Sequence, residues 1–422
     1  MSLASAGPAG ATEWVALVLF ALALLHTFAT KSFERLAHRN ARHAGVLHLL
    51  GEVEVVFGLW AAVLLLAMAA INGGAAALTY AESRQYTEPL FVFVVMVVAA
   101  SKPVRATASS LVALLARLLP VSTPIASVWL ALSFVPLLGS VVTEPAAMTL
   151  AALMLRDQVF RPGPPEWTKY AALGVLFVNV SIGGTLTSYA APPVLMVSGT
   201  WGWTTGFMFT TFGWKAAVAV AINATAVVWL LRRHLRGLAQ ADAPARVPGV
   251  IQLVHLAFLA GVVVFAHHPV VFLGLLLFFM GFVQAYPKHQ EPLILKEALL
   301  VAFFLAGLVV LGGMQQWWLQ PLVSSLSPIA LFFGAVGLTA ITDNAALTYL
   351  GSLIEGISDP AKYMLLAGAV AGGGLTVIAN APNPAGVALL RQGFDDESIG
   401  AGPLLLAALP PTIVAAAALL LM

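Results

Sequence analysis

Apolar residues fill this chain in long blocks broken by short polar stretches, and the blocks set its elements. Helices are expected near 14–30, 46–71, 89–101, 168–187, 203–231, 250–266, 269–286, 293–313, 361–378 and 403–421. Many of these blocks approach or exceed the ~20 residues that cross a hydrocarbon core. Two further pairs are shorter, 124–140 with 145–157 and 328–341 with 345–357. Each pair meets at an acidic turn: Thr143, Glu144 and Pro145 in one, Thr342, Asp343 and Asn344 in the other. Each member is too short to span alone. Each pair is therefore expected to enter and leave on one side, as a re-entrant hairpin with its acid at the tip.

Composition agrees with the blocks. The 422 residues are 60% hydrophobic and only 9% charged, with a mean hydropathy of +0.94, whereas soluble domains carry about 25% charged residues. So little charge cannot cover a water-facing surface, which makes this an all-α polytopic membrane protein set in a lipid bilayer. A net charge of +2 leaves no basic surface for nucleic acid. The absence of cysteine excludes disulfides, thiolate nucleophiles and thiolate metal sites. The opening "MSLASAGPAGATEW" has no basic stretch before its apolar run, so a cleavable signal peptide is not expected.

Basic residues orient the spans, because Lys and Arg concentrate in cytoplasmic loops. Lys31, Arg35, Arg39 and Arg42 follow the first block, and Lys102, Arg105 and Arg117 follow the third. "RRHLRGLAQADAPARVPG" is the most basic stretch, and Lys288 and Lys296 close the series. The connections 72–88, 198–202 and 267–269 hold one Arg and no Lys. All of this is consistent with both termini outside, provided that 124–157 returns to the cytoplasm and 328–357 returns to the outside. A bacterial inner (plasma) membrane is the expected location.

The two halves repeat. "TEPLFVFVVMVV" at 87–98 matches "QEPLILKEALLV" at 290–301, and "KYAALGVLFVNVSIGGTLTSYAAPP" matches "KYMLLAGAVAGGGLTVIANAP". The expected organisation is a first repeat at 1–236 (hairpin 124–157, broken helix 168–198), a cytoplasmic linker at 237–249, and a second repeat at 250–422 (hairpin 328–357, broken helix 361–391). Each repeat crosses five times. Five is odd, so the repeats are inverted, giving about ten transmembrane helices plus two hairpins. Inverted repeats are common in secondary transporters, whose substrate sites lie at the repeat interface near the midplane.

The candidate chemistry sits at matching places. "GGTLTSYAAPP" (183–193) and "GGGLTVIANAPNPAG" (372–386) put prolines where a spanning helix should be in mid-course, and proline cannot continue a helix. Unwound backbone at that depth is tolerated where it is buried or lines a cavity. Thr187, Ser188, Asn380 and Asn383 on these breaks join Thr143, Glu144, Thr342, Asp343 and Asn344 as a set of hard oxygen ligands. A buried carboxylate needs a partner, a cation or a proton, and one that takes either but not both supports exchange. On this reading Asp343→Asn abolishes exchange with the fold intact. Asp343 followed by Asn344 also suits a helix cap. Lys215, mid-span in "FGWKAAVAVAINATAVVWLL", needs a counter-ion, with Glu144 or Asp343 the natural choice. Glu52 and Asn223 are candidates for an access path. His26, His255 and the "HHP" turn are scattered, so no metal site is expected beyond the transported cation. "SKPVRATASSLVALLARLLP" and "GMQQWWLQPLVSSLSP" read as interfacial amphipathic helices.

Two acidic hairpin tips alternating with two broken helices resemble the ion transporter superfamily, which includes arsenite permeases and divalent-anion/sodium symporters. "HLLGEVEVVFGLW", "VTEPAAMTLAALML", "FGWKAA", "ITDNAALTYLGS" and "ANAPNPAG" resemble, within it, a bacterial family of sodium–proton antiporters. The likeness covers nearly the whole chain. It implies a cation–proton antiporter, not an enzyme, that carries Na⁺ (or another monovalent cation) against H⁺ by alternating access, needs no cofactor, and is compatible with a homodimer. Dicarboxylate symporters carry neutral tips resembling Ser-Asn-Thr, whereas Glu144 and Asp343 would repel a di-anion. An alternative within the same fold is an anion or oxyacid permease that uses Lys215. A remote alternative is an intramembrane enzyme, but paired aspartates at helical spacing and a His-Glu-x-x-His motif are both missing.

Overall fold

The computed structural model describes residues 10–40, 42–161, 163–235 and 247–422. Most of the expected linker 237–249 lies outside the described residues. Every regular element among them is helical. Six helices are long and apolar enough to cross a membrane, within Ala11–Thr30, Val53–Asn72, Glu166–Leu186, Thr205–Leu235, Leu295–Gly312 and Ala401–Leu421. Two bent pairs raise this to eight if each counts as one span: Thr87–Ala99 with Lys102–Leu118 (66°) and Thr123–Leu132 with Phe134–Val142 (45°). The chain is a polytopic helical membrane protein.

Several boundaries differ from the apolar blocks. The block at 46–71 is two helices, Ala44–Gly51 and Val53–Asn72, because Glu52 between them is extended. The first helix runs on to Arg39, since "KSFERLAHR" is rich in good helix formers and carries the helix past its apolar part. The blocks at 250–266, 269–286 and 361–378 form helices Gly249–Val264, Pro269–Ala285 and Asp359–Gly372, shorter than the sequence blocks. Pro269 starts a new helix after the turn, and the third helix gives way at its glycine run.

The chain forms two compact units, and each draws on both halves of the sequence. The first comprises 10–93, Leu295–Leu326 and Tyr349–Ser358. Here Val53–Asn72 lies along Leu295–Gly312 and also packs on Ala11–Arg39. Gly58 and Gly307 let the backbones approach: a Cβ on Gly307 would run into the backbone at Phe57 and Gly58. Small residues bring membrane helices this close where the bilayer supplies no hydrophobic drive. Tyr80 donates to the Val310 carbonyl (2.6 Å), an acceptor in the last turn of Leu295–Gly312 without a backbone partner, and Tyr349 adds a second donor to the Val309 carbonyl (3.0 Å), which also accepts from the Gly313 N–H (3.2 Å).

The second unit comprises Val94–Ile294, Ser327–Thr348 and Asp359–Met422. At its centre Glu166–Gly183 is mostly apolar and almost wholly buried, packed on Trp214–Leu235 and Ala401–Leu421. Phe134–Val142 and Glu144–Arg156 pack on one another and on this centre. Pro328–Ile341 lies along Asp359–Gly372 instead.

Candidate ion-binding site

The site is built from two chain breaks and two turns, all in the second unit. Helix Glu166–Gly183 tightens into a 3₁₀ turn at Gly184–Leu186, and helix resumes only at Pro192. Asp359–Gly372 likewise ends, and helix resumes at Asn383–Leu390. Prolines at the restart positions explain both, since a missing N–H costs nothing in a first helical turn.

Glu144 starts the helix that follows the first turn and is wholly buried. Asn380 donates from Nδ2 to its Oε2 (3.0 Å), while its Oε1 has no hydrogen-bond partner. That oxygen faces Gly184, where a Cβ would run into it. Thr143, which holds Glu144 in place, has φ 92° and ψ 149°, a region that belongs essentially to glycine. Ser140 braces the same turn: it donates to the Gly183 carbonyl (2.7 Å) and accepts from the Leu186 N–H (2.9 Å). Thr187 donates to the Ser140 carbonyl (2.6 Å).

The second turn is made differently. Asp343 Oδ1 accepts from the N–H groups of Ala345 (2.8 Å) and Ala346 (3.2 Å), a helix cap of the kind the Asp-Asn pair allows. Asn344 is fully buried. Its N–H donates to the Ala379 carbonyl (3.1 Å) and its Nδ2 to Ser181 Oγ (3.4 Å). Asn383 spends Nδ2 on the carbonyls of Gly373 (2.8 Å) and Thr376 (2.9 Å). Gly373 is pressed against Ser181 and Asn344, with no room for a Cβ.

Each of the three asparagines thus donates from its amide nitrogen and leaves its carbonyl oxygen unused. Asn344 Oδ1, Asn380 Oδ1, Asn383 Oδ1, Glu144 Oε1 and Thr143 Oγ1 are all buried without a partner. Orphaned buried oxygens are few in folded proteins, and each calls for an explanation. Oxygens of this kind are ligands for hard cations.

The other sequence candidates lie elsewhere. Lys215 donates to Tyr363 Oη (2.9 Å) with its ammonium over that ring (4.7 Å), and Tyr363 donates on to the Leu419 carbonyl (2.6 Å). Its partner is a tyrosine rather than Glu144; it follows a π-helical turn, Phe209–Gly213. Ser188 pairs with Thr205 Oγ1 (3.1 Å), and Thr342 bonds back to the Leu338 carbonyl (2.7 Å). Asn223 donates to Asn179 Oδ1 (2.9 Å) and to the Pro411 carbonyl (3.3 Å). Asn179 in turn serves the Leu132 carbonyl (2.7 Å) beside the break at Ser133, so this pair fills gaps in the backbone ladder. Glu52 belongs to the first unit and faces Lys296 (3.7 Å). Sequence reasoning missed Ser140, Asn179, Ser181, Gly184 and Gly373. The polar residues of "VNVSIGG", inside an apolar span, were the available signal.

The profile of the family described as "Putative Na+/H+ antiporter" matches residues 11–422. The chain belongs to that family. Membership in the antiporter family makes this a membrane transporter of the cation–proton type; the family is not one of enzymes, and small ions and the bilayer are its natural partners. A solved transporter, YdaH from Alcanivorax borkumensis, is similar in fold, with a TM-score of 0.51 at 16% identity over 87% of this chain and 96% of that one. YdaH itself has a topology described as unusual. Among curated proteins none matches.

Proposed function

We propose that this antiporter exchanges a monovalent cation, Na⁺ foremost, for H⁺ at Glu144. The observation that carries the proposal is the set of unpartnered buried oxygens on Glu144, Asn344, Asn380 and Asn383. With no cation present, the buried carboxyl of Glu144 holds a proton, because an unpaired buried charge is costly. A cation approaching the amide oxygens favours the charged form, and the proton leaves. Site occupancy is then exclusive, and that exclusion is what exchange requires. The negative charge of Asp343 adds to the cation's attraction while its Oδ1 caps a helix.

Alternating access follows from the same reading: two inverted repeats would present the loaded site to one bath and then the other, with both termini outside in a bacterial inner membrane. Thr143, held in a glycine-like conformation, is a place where strain is stored beside the titrating group.

Purified protein in liposomes carrying a pH-sensitive dye tests the proposal. Na⁺ added outside drives a pH change in the wild type, with Li⁺, K⁺ and Ca²⁺ as comparisons. Glu144→Gln, which keeps an acceptor for Asn380, gives none. Wild-type exchange by Glu144→Gln would overturn the assignment.

A further inference from the structure

Away from the ion site, the second unit carries an apolar cleft of about 220 Å³ where the amphipathic helix Lys102–Leu118 turns into Thr123–Leu132 beside Trp214–Leu235. Leu119, Val121, Ile125, Trp129 and Val228 line it. Trp129 spends its N–H on Thr225 Oγ1 (3.0 Å), so it presents carbon to the cleft. The volume is that of about seven waters, yet the lining offers them no hydrogen-bond partners. Hydrocarbon is the occupant that such a lining admits.

The three helices that flank the cleft carry charge of one sign. Across the three helices that flank it there are six Lys and Arg residues and no Asp or Glu. Lys102 and Arg105 are engaged by Glu291, and Lys215 by Tyr363. Arg117, Arg232 and Arg233 form no ion pair among the described residues; Arg232 stacks on Trp229, 4.1 Å from its ring centre. Arg117 lies two residues before Leu119. Arg232 lies one helical turn beyond Val228, on the same face, in the last turn of its helix. An apolar groove with unpaired guanidinium groups beside it matches a single chemistry: an acyl chain that carries an anionic headgroup.

We propose that the cleft is a binding site for an anionic phospholipid, with one acyl chain against Trp129 and Val228 and the phosphate held by Arg117 and Arg232. Guanidinium suits phosphate because its planar fork pairs two donors with two oxygens. The site rests only on the chain lying in a bilayer and is independent of which ion is exchanged. It would tie the elbow between the amphipathic helix and the first acidic pair to the lipid composition of one leaflet.

The test is quenching of Trp129 in full-length protein reconstituted in phosphatidylcholine vesicles containing brominated lipid. The Trp129 signal is taken as the difference between wild type and Trp129→Phe. Brominated phosphatidylglycerol is expected to quench at a lower mole fraction than brominated phosphatidylcholine, with a preference of roughly fivefold per arginine. Arg117→Gln with Arg232→Gln, the first at an exposed and the second at a half-buried position, is expected to remove the preference while quenching by the neutral lipid persists. Equal quenching by the two headgroups in the wild type would overturn the anionic assignment. Protection of Trp129 from both lipids would give the cleft to protein, such as a second copy of this chain, and overturn the site itself. Mass spectrometry of co-purified lipid is a second readout: phosphatidylglycerol retained by the double variant as well as by wild type also counts against the proposal.

Discussion

Thr143–Glu144 and Thr342–Asp343 look alike in the sequence: each is a threonine and an acid between two apolar runs. In the fold they are built on different principles. The Glu144 carboxylate reaches away from its own helix to Asn380 and leaves an oxygen bare against Gly184. The Asp343 carboxylate turns back on its own helix and binds two N–H groups there. The threonines differ in the same sense, since Thr143 occupies a glycine-like region while Thr342 is ordinarily extended. Chain length explains much of this. Asp is short enough to cap the helix it begins, whereas Glu carries one more methylene and can reach another segment. One carboxylate thus keeps an oxygen without a hydrogen bond, and the other uses an oxygen to hold its turn; on the proposed reading the first is the one that exchanges.

Neutralising each acid in turn should separate the two turns most widely. Glu144→Gln is expected to abolish cation-driven proton movement in liposomes. Asp343→Asn still caps, and is expected to retain exchange with apparent cation affinity lower by on the order of tenfold, the effect typical of an outer partner. Equal loss in the two variants would restore the symmetric reading that the sequence suggests. Asp343→Ala separates charge from cap, because it alone should also cost about 1 kcal/mol of thermal stability.

Next in size is Asn380→Ala, which removes both the donor to Glu144 and one unused oxygen. The half-saturating Na⁺ concentration is expected to rise by at least about tenfold, and an unchanged value would exclude Asn380 from the site. Thr143→Gly should then relieve strain that costs of order 1–3 kcal/mol, partly offset by glycine's entropy in the unfolded chain. A rise in melting temperature, with no such rise for Thr342→Gly, would sharpen the contrast between the turns. A fall for Thr143→Gly would end the strain argument.

The smallest effect concerns an exposed carboxylate as reference. Partial burial pushes the Glu291 carboxyl up, but Arg105 and Lys102 outweigh this and hold it below its ordinary range. A depressed folded value means that its stabilisation is complete above the unfolded carboxylate pKa and fades as pH falls through the folded one. For a half-exposed cluster this is worth no more than ~1 kcal/mol. Glu291→Gln should therefore melt lower than wild type at neutral pH and converge with it in acid. A gap that persists below the carboxylate range would point to packing instead.

Much of the site can be read in the chain. Glu144, Asp343, Asn344, Asn380 and Asn383 stand out because polar groups in an apolar run are costly unless they have work to do. The breaks at 183–193 and 372–386 are visible because proline and clustered glycine act locally. Ser140, Ser181 and Gly184 were hidden because their importance lies in what they face. Charge alone points Lys215 towards an acid, whereas the fold brings a tyrosine hydroxyl to it.

Residue type and local spacing suffice for the solvent, the helices, the punctuation of the broken spans and the family. Three-dimensional packing alone sets which acid keeps an oxygen without a hydrogen bond, which asparagine carbonyls make none, and how the chain divides into two units that draw on both halves. Those are properties of segments far apart in the chain, Glu144 and Asn380 above all, and one-dimensional pattern carries no information on which side chains will meet.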